Sequence, residues 1–362
     1  MLKLDRFGVR CLVLGATILG VGGGGSPQRG LKVLLEDLDK GLRLEIIDVN
    51  EAGEGIVVTP YFVGAVPKPG GRRKEIPVEY MLKAVKALSR RCGTVRYVIP
   101  TEIGGGNTAI AIHLGALLGL QTIDADHVGR SVPELIHSSF YLHGVPLTPS
   151  SLVDPYGDVV AIEEYASIEH YENIVRSIVT ATGRAFVIDT PVTPDIVRKV
   201  AVLNSISKAY ELGLKVIEAR EKGRSVPDVI AEYLNGYVIM EGKIARYNLR
   251  EEGGSLKGWY EIKGEGLFKG KILRIDVKNE NIAAWLNGEA VTLPPDLIIV
   301  VKENGEALVN NEIAVGLRVS VVAAPAPPVW RTAKGLEILG PKHFGYNVDY
   351  EPVEKLVKKH KL

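Results

Sequence analysis

The residues that could do chemistry are concentrated between Glu102 and His137. Asp124 and Asp126 stand two apart in a segment that reads as extended, so their side chains are predicted to point the same way. Glu134 and His137 stand three apart in a segment that reads as helical, where residues at this spacing are neighbours. Carboxylates and imidazoles in such an arrangement can hold a divalent metal or move protons around a polar substrate.

Three interpretations of this acidic cluster stay open. In the first, Asp124, Asp126 and His127 hold a divalent metal, for which zinc is the candidate. In the second, the reaction is metal-free and Asp124 or Asp126 is its base. Glu134 or His137 would then supply the proton. In the third, the acids only cap helices, with Arg130 as their counter-ion, because a carboxylate at a helix N-terminus is stabilising without any function.

A run of glycines, Gly20–Gly25, is followed by Ser26 and Pro27. Ser26 is a good N-cap and Pro27 a good first residue for the helix predicted to follow. The bare backbone would then lie at a positive helix N-terminus, which accepts a carboxylate, phosphate or amide oxygen. The predicted ligand-binding residues of this loop are Gly22, Gly23, Gly24, Gly25 and Ser26.

Two alternatives remain for this glycine run. It formally matches the dinucleotide fingerprint G-x-G-x-x-G, with Asp48 near the expected ribose position. That fingerprint needs a strand before the glycines, whereas the preceding segment, opened by Asp5, can equally be a helix. The other alternative is a tight turn that binds nothing.

A second bare-backbone loop follows the strand-like run 94–100. Open α/β sheets bind ligands at the carboxyl ends of their parallel strands, and this loop is predicted to lie at such an end. We therefore expect Glu102, which enters the loop, to take part in catalysis. The ligand-binding candidates of the loop are Gly104, Gly105, Gly106 and Asn107.

The composition excludes several classes of protein. The 44 Lys and Arg residues balance 43 Asp and Glu, so a net charge of +1 gives no global field for nucleic acid or an anionic membrane. Cys11 and Cys92 lack metal-type spacing, which excludes a disulfide framework and fits a cytoplasmic location. The apolar run 11–20 is too short to span a bilayer. Only 3 Met beside many charged residues resembles the composition of a thermophile's protein.

The order of predicted elements indicates an α/β protein in two domains. Strand-like runs alternate with helical patterns over residues 1–235, which predicts a layered domain with a largely parallel sheet. Short β runs divided by Gly, Asn and Pro fill 236–325, which predicts a small antiparallel β-barrel domain. The tail, 326–362, is expected to fold back on the first domain.

Several motifs together resemble one family. LGVGGGGSP, EIGGGN, DADHVGRSVPE and GPKHFGYNVDYEPV resemble, in this order, the S-methyl-thiohydantoin desulfurase-like family, and NENIAAWLNGEAVTLPPDLIIV is similar to that family's second domain. The resemblance covers nearly the whole chain and implies a layered α/β domain, a small β-barrel and an association with hydantoin-type ring metabolism. Its motif residues would be Gly22–Gly25, Glu102, Asn107, Asp124, Asp126, Gly129, Arg130 and Glu134. The chain departs from the family's common Asp-Gly-Met-Gly-Arg-Ala at 126–131, and from a common Asp at Ser26.

The resemblance implies a hydrolase that acts on a cyclic ureide or thioureide, by S-methyl-thiohydantoin-like desulfurisation or by ring hydrolysis. Such a reaction needs an activated water, donors for the developing negative charge, and a proton for the leaving thiol. We expect Arg130 to bind a substrate carboxylate. The alternatives are a non-catalytic small-molecule binder and an accessory subunit of a hydantoinase-type enzyme. We expect the protein to bind a small polar cyclic substrate and to form a homo-oligomer. We expect no nucleic-acid or membrane partner.

Overall fold

The computed structural model describes residues 1–64, 75–252 and 255–362. Its helices are α1 (Arg6–Leu19), α2 (Pro27–Asp39), α3 (Val78–Cys92), α4 (Asn107–Leu118), α5 (Ser139–Leu142), α6 (Ile168–Thr182), α7 (Pro194–Val200), α8 (Ser205–Glu221), α9 (Val226–Leu234), α10 (Ala333–Leu339) and α11 (Val353–Lys359). Its strands are β1 (Leu2–Lys3), β2 (Glu45–Ile47), β3 (Ile56–Gly64), β4 (Val95–Val98), β5 (Gln121–Ile123), β6 (Ala125–Asp126), β7 (Ser150–Val153), β8 (Val159–Ile162), β9 (Arg184–Val192), β10 (Val202–Leu203), β11 (Tyr237–Glu252), β12 (Ser255–Gly264), β13 (Ile272–Lys278), β14 (Glu280–Leu286), β15 (Glu289–Thr292), β16 (Leu297–Lys302) and β17 (Arg318–Ala324).

Local capping signals set the starts of the first two helices. The Asp5 carboxylate accepts a hydrogen bond of 2.7 Å from the Gly8 N–H and opens α1. The Ser26 hydroxyl caps α2, whose first residue is Pro27, so this predicted pair is confirmed. Because a helix and not a strand precedes the glycine run, the dinucleotide alternative is wrong. Asp48 instead accepts a hydrogen bond from a backbone N–H two residues on.

The first sheet is mixed. In the described residues it has eight strands in the order β1-β2-β5-β4-β3-β9-β7-β8. The neighbours β2, β5, β4 and β3 are parallel, whereas the pairs β1–β2, β3–β9, β9–β7 and β7–β8 are antiparallel. The expectation of a largely parallel sheet is corrected here, because the turn between β7 and β8 is too short for the crossover that parallel strands need.

Helices cover both faces of this sheet around its longest strands. Along β9, Phe186 and Ile188 pack in one core cluster with α3, while Ala185 and Val187 pack in another with α6. This alternation is the period of two that a strand imposes on its side chains. No helix in the described ranges is both long and apolar enough to cross a membrane.

The second sheet is antiparallel and curls around a core of its own. Among the described residues its strand order is β15-β14-β13-β12-β11-β17-β16. Side chains from β11 to β14, β16 and β17 share one hydrophobic cluster, which gives the shape of half a barrel. The expectation of a small antiparallel β-barrel is therefore met in part, because within the described residues no ladder joins β15 to β16 and the sheet is not shown to close. At β15, His360 Nε2 instead lies 2.9 Å from the Ala290 carbonyl, so the tail contacts this edge.

The two halves of the chain share apolar core. On β16, Ile298 and Val300 face the half-barrel core, while Leu297 and Ile299 pack in the cluster that contains α1, α8 and α9. The tail likewise contacts both halves. Trp330 Nε1 donates a 2.7 Å hydrogen bond to the carbonyl of Val128, before α5, while Leu356 packs against β14.

Helices α1 and α8 pack backbone to backbone, and glycine makes this possible. A Cβ on Gly15 would lie 1.7 Å from the Ala209 carbonyl oxygen, and a Cβ on Gly213 would lie 1.8 Å from the Cys11 carbonyl oxygen. Any side chain at either position therefore forces the helices apart.

We expect Gly15→Ala to lower the melting temperature by several degrees, since overpacking of this kind costs about 1–3 kcal/mol. The control is Gly8→Ala in the same helix, where a Cβ would meet only side-chain atoms at 3.3–3.4 Å and helix propensity favours Ala. Thermal unfolding followed by circular dichroism compares the two. Equal melting temperatures for both variants would contradict the packing argument.

Candidate functional site

A cavity of about 320 Å³ opens beyond the carboxyl end of β4. Its walls come from β3, α4, α6, β9 and the segment between β6 and α5. Its polar lining residues are Arg29, Tyr61, Thr101, Glu102, Asn107, His127, Glu134, His137, Ser138, Glu172, Arg176, Arg184 and Asp189. The position agrees with the rule that open α/β sheets bind ligands at strand carboxyl ends, and the volume suits a small molecule.

Glu134 and His137, which line the cavity, meet His343 from the tail. One nitrogen or carboxylate oxygen from each lies within 4.8 Å of the other two. Glu134 Oε2 lies 3.0 Å from His343 Nε2, and Glu134 Oε1 is ion-paired with Lys278. The hydrogen bond from His343 and the Lys278 ammonium hold the pKa of Glu134 well below its usual range.

The ring of His137 is buried and makes no hydrogen bond to the described residues. The residue is 1% exposed, and neither ring nitrogen has a hydrogen-bond partner in the described part of the chain. The ring centroid lies 4.8 Å from that of His343 and 5.6 Å from that of Phe344. Burial lowers the pKa of His137 to about 3, so the ring is neutral at pH 7.

Asp189 lies on another wall of the cavity, at a distortion of β9. Its carboxylate accepts hydrogen bonds from the hydroxyls of Tyr61 at 2.7 Å, Thr190 at 3.0 Å and Tyr171 at 3.2 Å. Burial raises the pKa of Asp189 to about 7. The register with β3 shifts at this point, and Thr190 has a φ of 49°, which is rare for a β-branched residue. Such backbone outliers cluster at functional sites.

Glu102 lines the cavity and positions the segment that carries Glu134. Its Oε1 accepts a 2.6 Å hydrogen bond from the Asn107 side chain, and its Oε2 accepts one of 2.8 Å from the Val132 N–H. Burial raises the pKa of this carboxyl, and the hydrogen bonds oppose that effect. Both of its oxygens are thus engaged in holding α4 and the 131–134 segment together.

His127 is held between two hydroxyls. Its Nε2 lies 2.8 Å from Thr59 Oγ1, its Nδ1 lies 3.0 Å from Ser138 Oγ, and its ring packs on Phe140. Burial lowers its pKa to about 3. The ring is therefore neutral, and both of its nitrogens are occupied by neighbours within the protein.

Asp124 and Asp126 do not line the cavity in the described structure. Asp124 Oδ1 accepts hydrogen bonds of 2.9 and 3.0 Å from two N–H groups in the first turn of α8. Asp126 Oδ2 accepts bonds of 2.9 and 2.7 Å from two N–H groups of its own loop, and burial raises the pKa of Asp126 to about 7. Neither they nor His127 belong to a group of metal-ligating side chains within the described ranges. The helix-capping interpretation accounts for the contacts of Asp124.

The two glycine loops lie against each other. The Gly24 carbonyl accepts hydrogen bonds of 2.9 and 3.0 Å from the backbone at the start of α4. A Cβ on Gly24 would lie 2.5 Å from the Gly104 Cα, and one on Gly23 would lie 1.9 Å from a carboxylate oxygen of the second sheet. Among the predicted ligand-binding residues of the two loops, Asn107 lines the cavity in the described chain. The others do not line it: Gly22, Gly23, Gly24, Gly25, Ser26, Gly104, Gly105 and Gly106.

Arg130 is buried and links the two halves of the chain through hydrogen bonds. Its guanidinium donates to four backbone carbonyls at distances between 2.8 and 3.3 Å. These carbonyls belong to Ser131, Asn281, Pro295 and Asp296. Burial lowers the pKa of Arg130 to about 10. In the described chain, the arginines that line the cavity are Arg29, Arg176 and Arg184 instead.

The helix predicted to carry Glu134 and His137 is not formed. Residues 131–138 form turns and irregular structure, and α5 begins only at Ser139. The hydroxyl of Ser138 caps α5 and so sets its start there. The side chains of Glu134 and His137 are nevertheless neighbours, as expected, because the His137 N–H donates a 3.2 Å hydrogen bond to the Glu134 carbonyl and closes a turn.

Sequence reasoning missed Asp189 and gave His343 no partner. The signal for Asp189 was a lone acid within the apolar run RAFVIDTP, where a buried charge is uncommon. His343 lies in the tail stretch GPKHFGYNVDYEPV, which had carried part of the family resemblance. The sequence led us to expect that the tail folds back on the first domain, but it did not indicate contact with the segment before α5.

The fold and the cavity define a class: an α/β protein with a second, antiparallel sheet and a polar cavity beside its mixed sheet. Family models described as the S-Me-THD-like N-terminal domain and the S-Me-THD-like C-terminal domain match residues 8–164 and 166–353. The chain therefore belongs to the S-Me-THD-like family.

Solved structures that match this chain include one with the same fold. The chain is similar to an X-ray crystal structure of a protein from Chromobacterium violaceum, with 22% identity and a TM-score of 0.79, over 98% of this chain and 100% of the other. A search of curated proteins gave no significant match.

We expect Arg130→Lys to destabilise the protein rather than to weaken ligand binding alone. A lysine ammonium cannot replace the planar fork of donors, and each buried acceptor left unpaired costs about 1–3 kcal/mol. Thermal unfolding at pH 7 should show a clear drop for this variant and almost none for the control Arg29→Lys, whose side chain is exposed. An unchanged melting temperature would contradict this structural role of Arg130.

We expect Asp189→Asn to remove part of the pH dependence of stability. The folded pKa of about 7 exceeds the ordinary value of about 3.9, so the folded state binds this proton more tightly. The stabilisation is fully present below about pH 4 and is lost as the pH rises through about 7. Melting temperatures of both proteins between about pH 4 and pH 8 should diverge in favour of the variant as the pH rises. A difference that is constant with pH would contradict the assignment.

Proposed function

We propose that the protein is a hydrolase that removes the methylthio group from an S-methylated thiohydantoin-like ring. The observation that carries the proposal is Asp189, an acid with a pKa of about 7 on the wall of a cavity of about 320 Å³. A group with this pKa can take and return a proton near neutral pH. Membership of the S-Me-THD-like family supports a hydantoin-related substrate.

The reaction needs one group that acts first as base and then as acid. Water adds to the ring carbon that carries the methylthio group, and Asp189 takes one of its protons. The carbon–sulfur bond then breaks, and Asp189 returns that proton to the departing thiolate, so that methanethiol leaves. The water oxygen becomes a ring carbonyl oxygen, and the second water proton ends on the ring nitrogen. Atoms and charge balance without an oxidant or reductant.

The surroundings of Asp189 support this role. Hydroxyl donors from Tyr61 and Tyr171 hold its carboxylate in one orientation, which is what a proton carrier requires. Arg184, in the same cavity, lies with its guanidinium 4.0 Å from the Phe62 ring centroid, which fixes its direction. The arginines of the cavity would stabilise the negative charge that develops on the ring during water addition.

The test is turnover of an S-methylated 2-thiohydantoin by the purified full chain. Methanethiol release is followed with a thiol-reactive dye, and the hydantoin product by mass spectrometry in ¹⁸O-labelled water. We expect Asp189→Asn to lower kcat by at least about 100-fold, since a positioned acid or base contributes about 10²–10⁴. The matched control is Asp195→Asn, which removes an exposed acid of α7.

The outcomes separate the candidate functions. Methanethiol release with ¹⁸O in the ring carbonyl supports the hydrolase. If the wild type binds the ring and leaves it unchanged, the non-catalytic binder or accessory subunit replaces this proposal. Full turnover by a folded Asp189→Asn variant would remove Asp189 from the mechanism.

A further inference from the structure

We propose that Glu134, His137 and His343 bind one transition-metal ion, for which zinc is the best fit. The site adds a cofactor to the wall of the cavity assigned above. Its argument comes from the side chains alone, and its test measures metal binding without substrate. It can therefore fail while the proposed function stands, and the reverse also holds.

The spacing of the three side chains is close to that of a metal site. Their ligand atoms lie within 4.8 Å of one another. Ligands at about 2.1 Å from a tetrahedral zinc lie about 3.4 Å apart, so rotations of the side chains would close the remaining gap. Glu134 and His137 come from one turn, closed by a backbone hydrogen bond of 3.2 Å, so their backbones are held close together.

His137 supplies the second and independent observation. It is 1% exposed, and both of its ring nitrogens lack a partner within the described residues. Buried polar atoms in folded proteins are nearly always bonded, and an unsatisfied one costs about 1–3 kcal/mol. A metal bound to one nitrogen would give a partner to one of the two ring atoms that the described residues leave without a hydrogen bond.

The charges around the cluster fit an ion that replaces a proton. Glu134 Oε2 lies 3.0 Å from His343 Nε2, which requires a proton between two atoms that are both good zinc ligands. A metal would displace that proton and bridge the same two atoms. Glu134 Oε1 is ion-paired with Lys278, whose positive charge would oppose that of a bound metal ion. Lys278 is therefore the cation that competes with the metal for Glu134.

The chemistry of the donors selects the kind of metal. Two imidazoles and one carboxylate form the ligand set of known catalytic zinc sites, whereas magnesium and calcium prefer oxygen ligands alone. Glu134 and His137 both line the cavity, so the fourth ligand position would face it. That openness is typical of catalytic zinc sites, while structural sites are closed by four protein ligands.

The experiment titrates zinc sulfate into the chelator-stripped full chain by calorimetry. Cobalt absorption spectra then report nitrogen ligation. We expect one equivalent to bind to the wild type, and Glu134→Gln, His137→Ala and His343→Ala each to weaken binding by at least about 100-fold. The matched control is His170→Ala, whose exposed ring bonds only Ser167 in the described structure and should leave zinc binding unchanged.

Lys278→Gln gives a prediction of opposite sign. Removing the competing ammonium should tighten zinc binding several-fold, whereas a purely structural ion pair would give no effect. Circular dichroism establishes whether each variant is folded. If a histidine variant does not fold, Glu134→Gln, which keeps the shape of the side chain, still tests the site. Absence of zinc binding by the wild type would overturn the proposal. Binding that is unchanged in the folded ligand variants would overturn it as well, because the ion would then lie elsewhere.

Discussion

One close backbone contact, between Gly24 and Gly104, brings together the parts of the chain that build the site. A Cβ on Gly24 would lie 2.5 Å from the Gly104 Cα, and a Cβ on Gly104 would lie 2.3 Å from the Gly24 Cα, so neither position accepts a side chain. The same loop reaches the second half of the chain, where the Gly22 carbonyl accepts a 2.8 Å hydrogen bond from the Asn310 N–H. The glycines at these positions therefore allow the backbone of this loop to pack directly against neighbouring segments of the chain.

This contact does not line the cavity, but hydrogen bonds connect it to the cavity wall. The Gly24 carbonyl receives the N–H groups at the start of α4, and the first residue of α4, Asn107, donates to Glu102. Glu102 in turn accepts the Val132 N–H and so holds the segment that leads to Glu134. The steps are hydrogen bonds of 2.6, 2.8, 2.9 and 3.0 Å in a buried or half-buried region, so one continuous set of contacts joins the glycines to the cavity wall.

Local signals made part of the architecture predictable from sequence. The caps at Asp5 and Ser26 act over three residues, and the strand before Glu102 indicated where a cavity would open. Asp124 shows the limit, because a carboxylate after a buried strand looks the same in sequence whether it faces a ligand or caps a later helix. Asp189 was missed because its environment depends on a neighbouring strand, a backbone distortion and burial, which no local pattern encodes.

The family boundary near residue 165 does not separate two independent sites. The N-terminal family domain contributes Glu134, while Asp189 and His343 belong to the C-terminal one. Strand β9 belongs to the C-terminal family domain, yet it lies between β3 and β7 in the first sheet, so the N-terminal domain alone would lack a central strand. Removing β9 would expose the buried side chains of β3 and leave its hydrogen-bonding groups unpaired. The cavity therefore forms only when both family domains fold as one unit, and the tail must dock before His343 can meet Glu134.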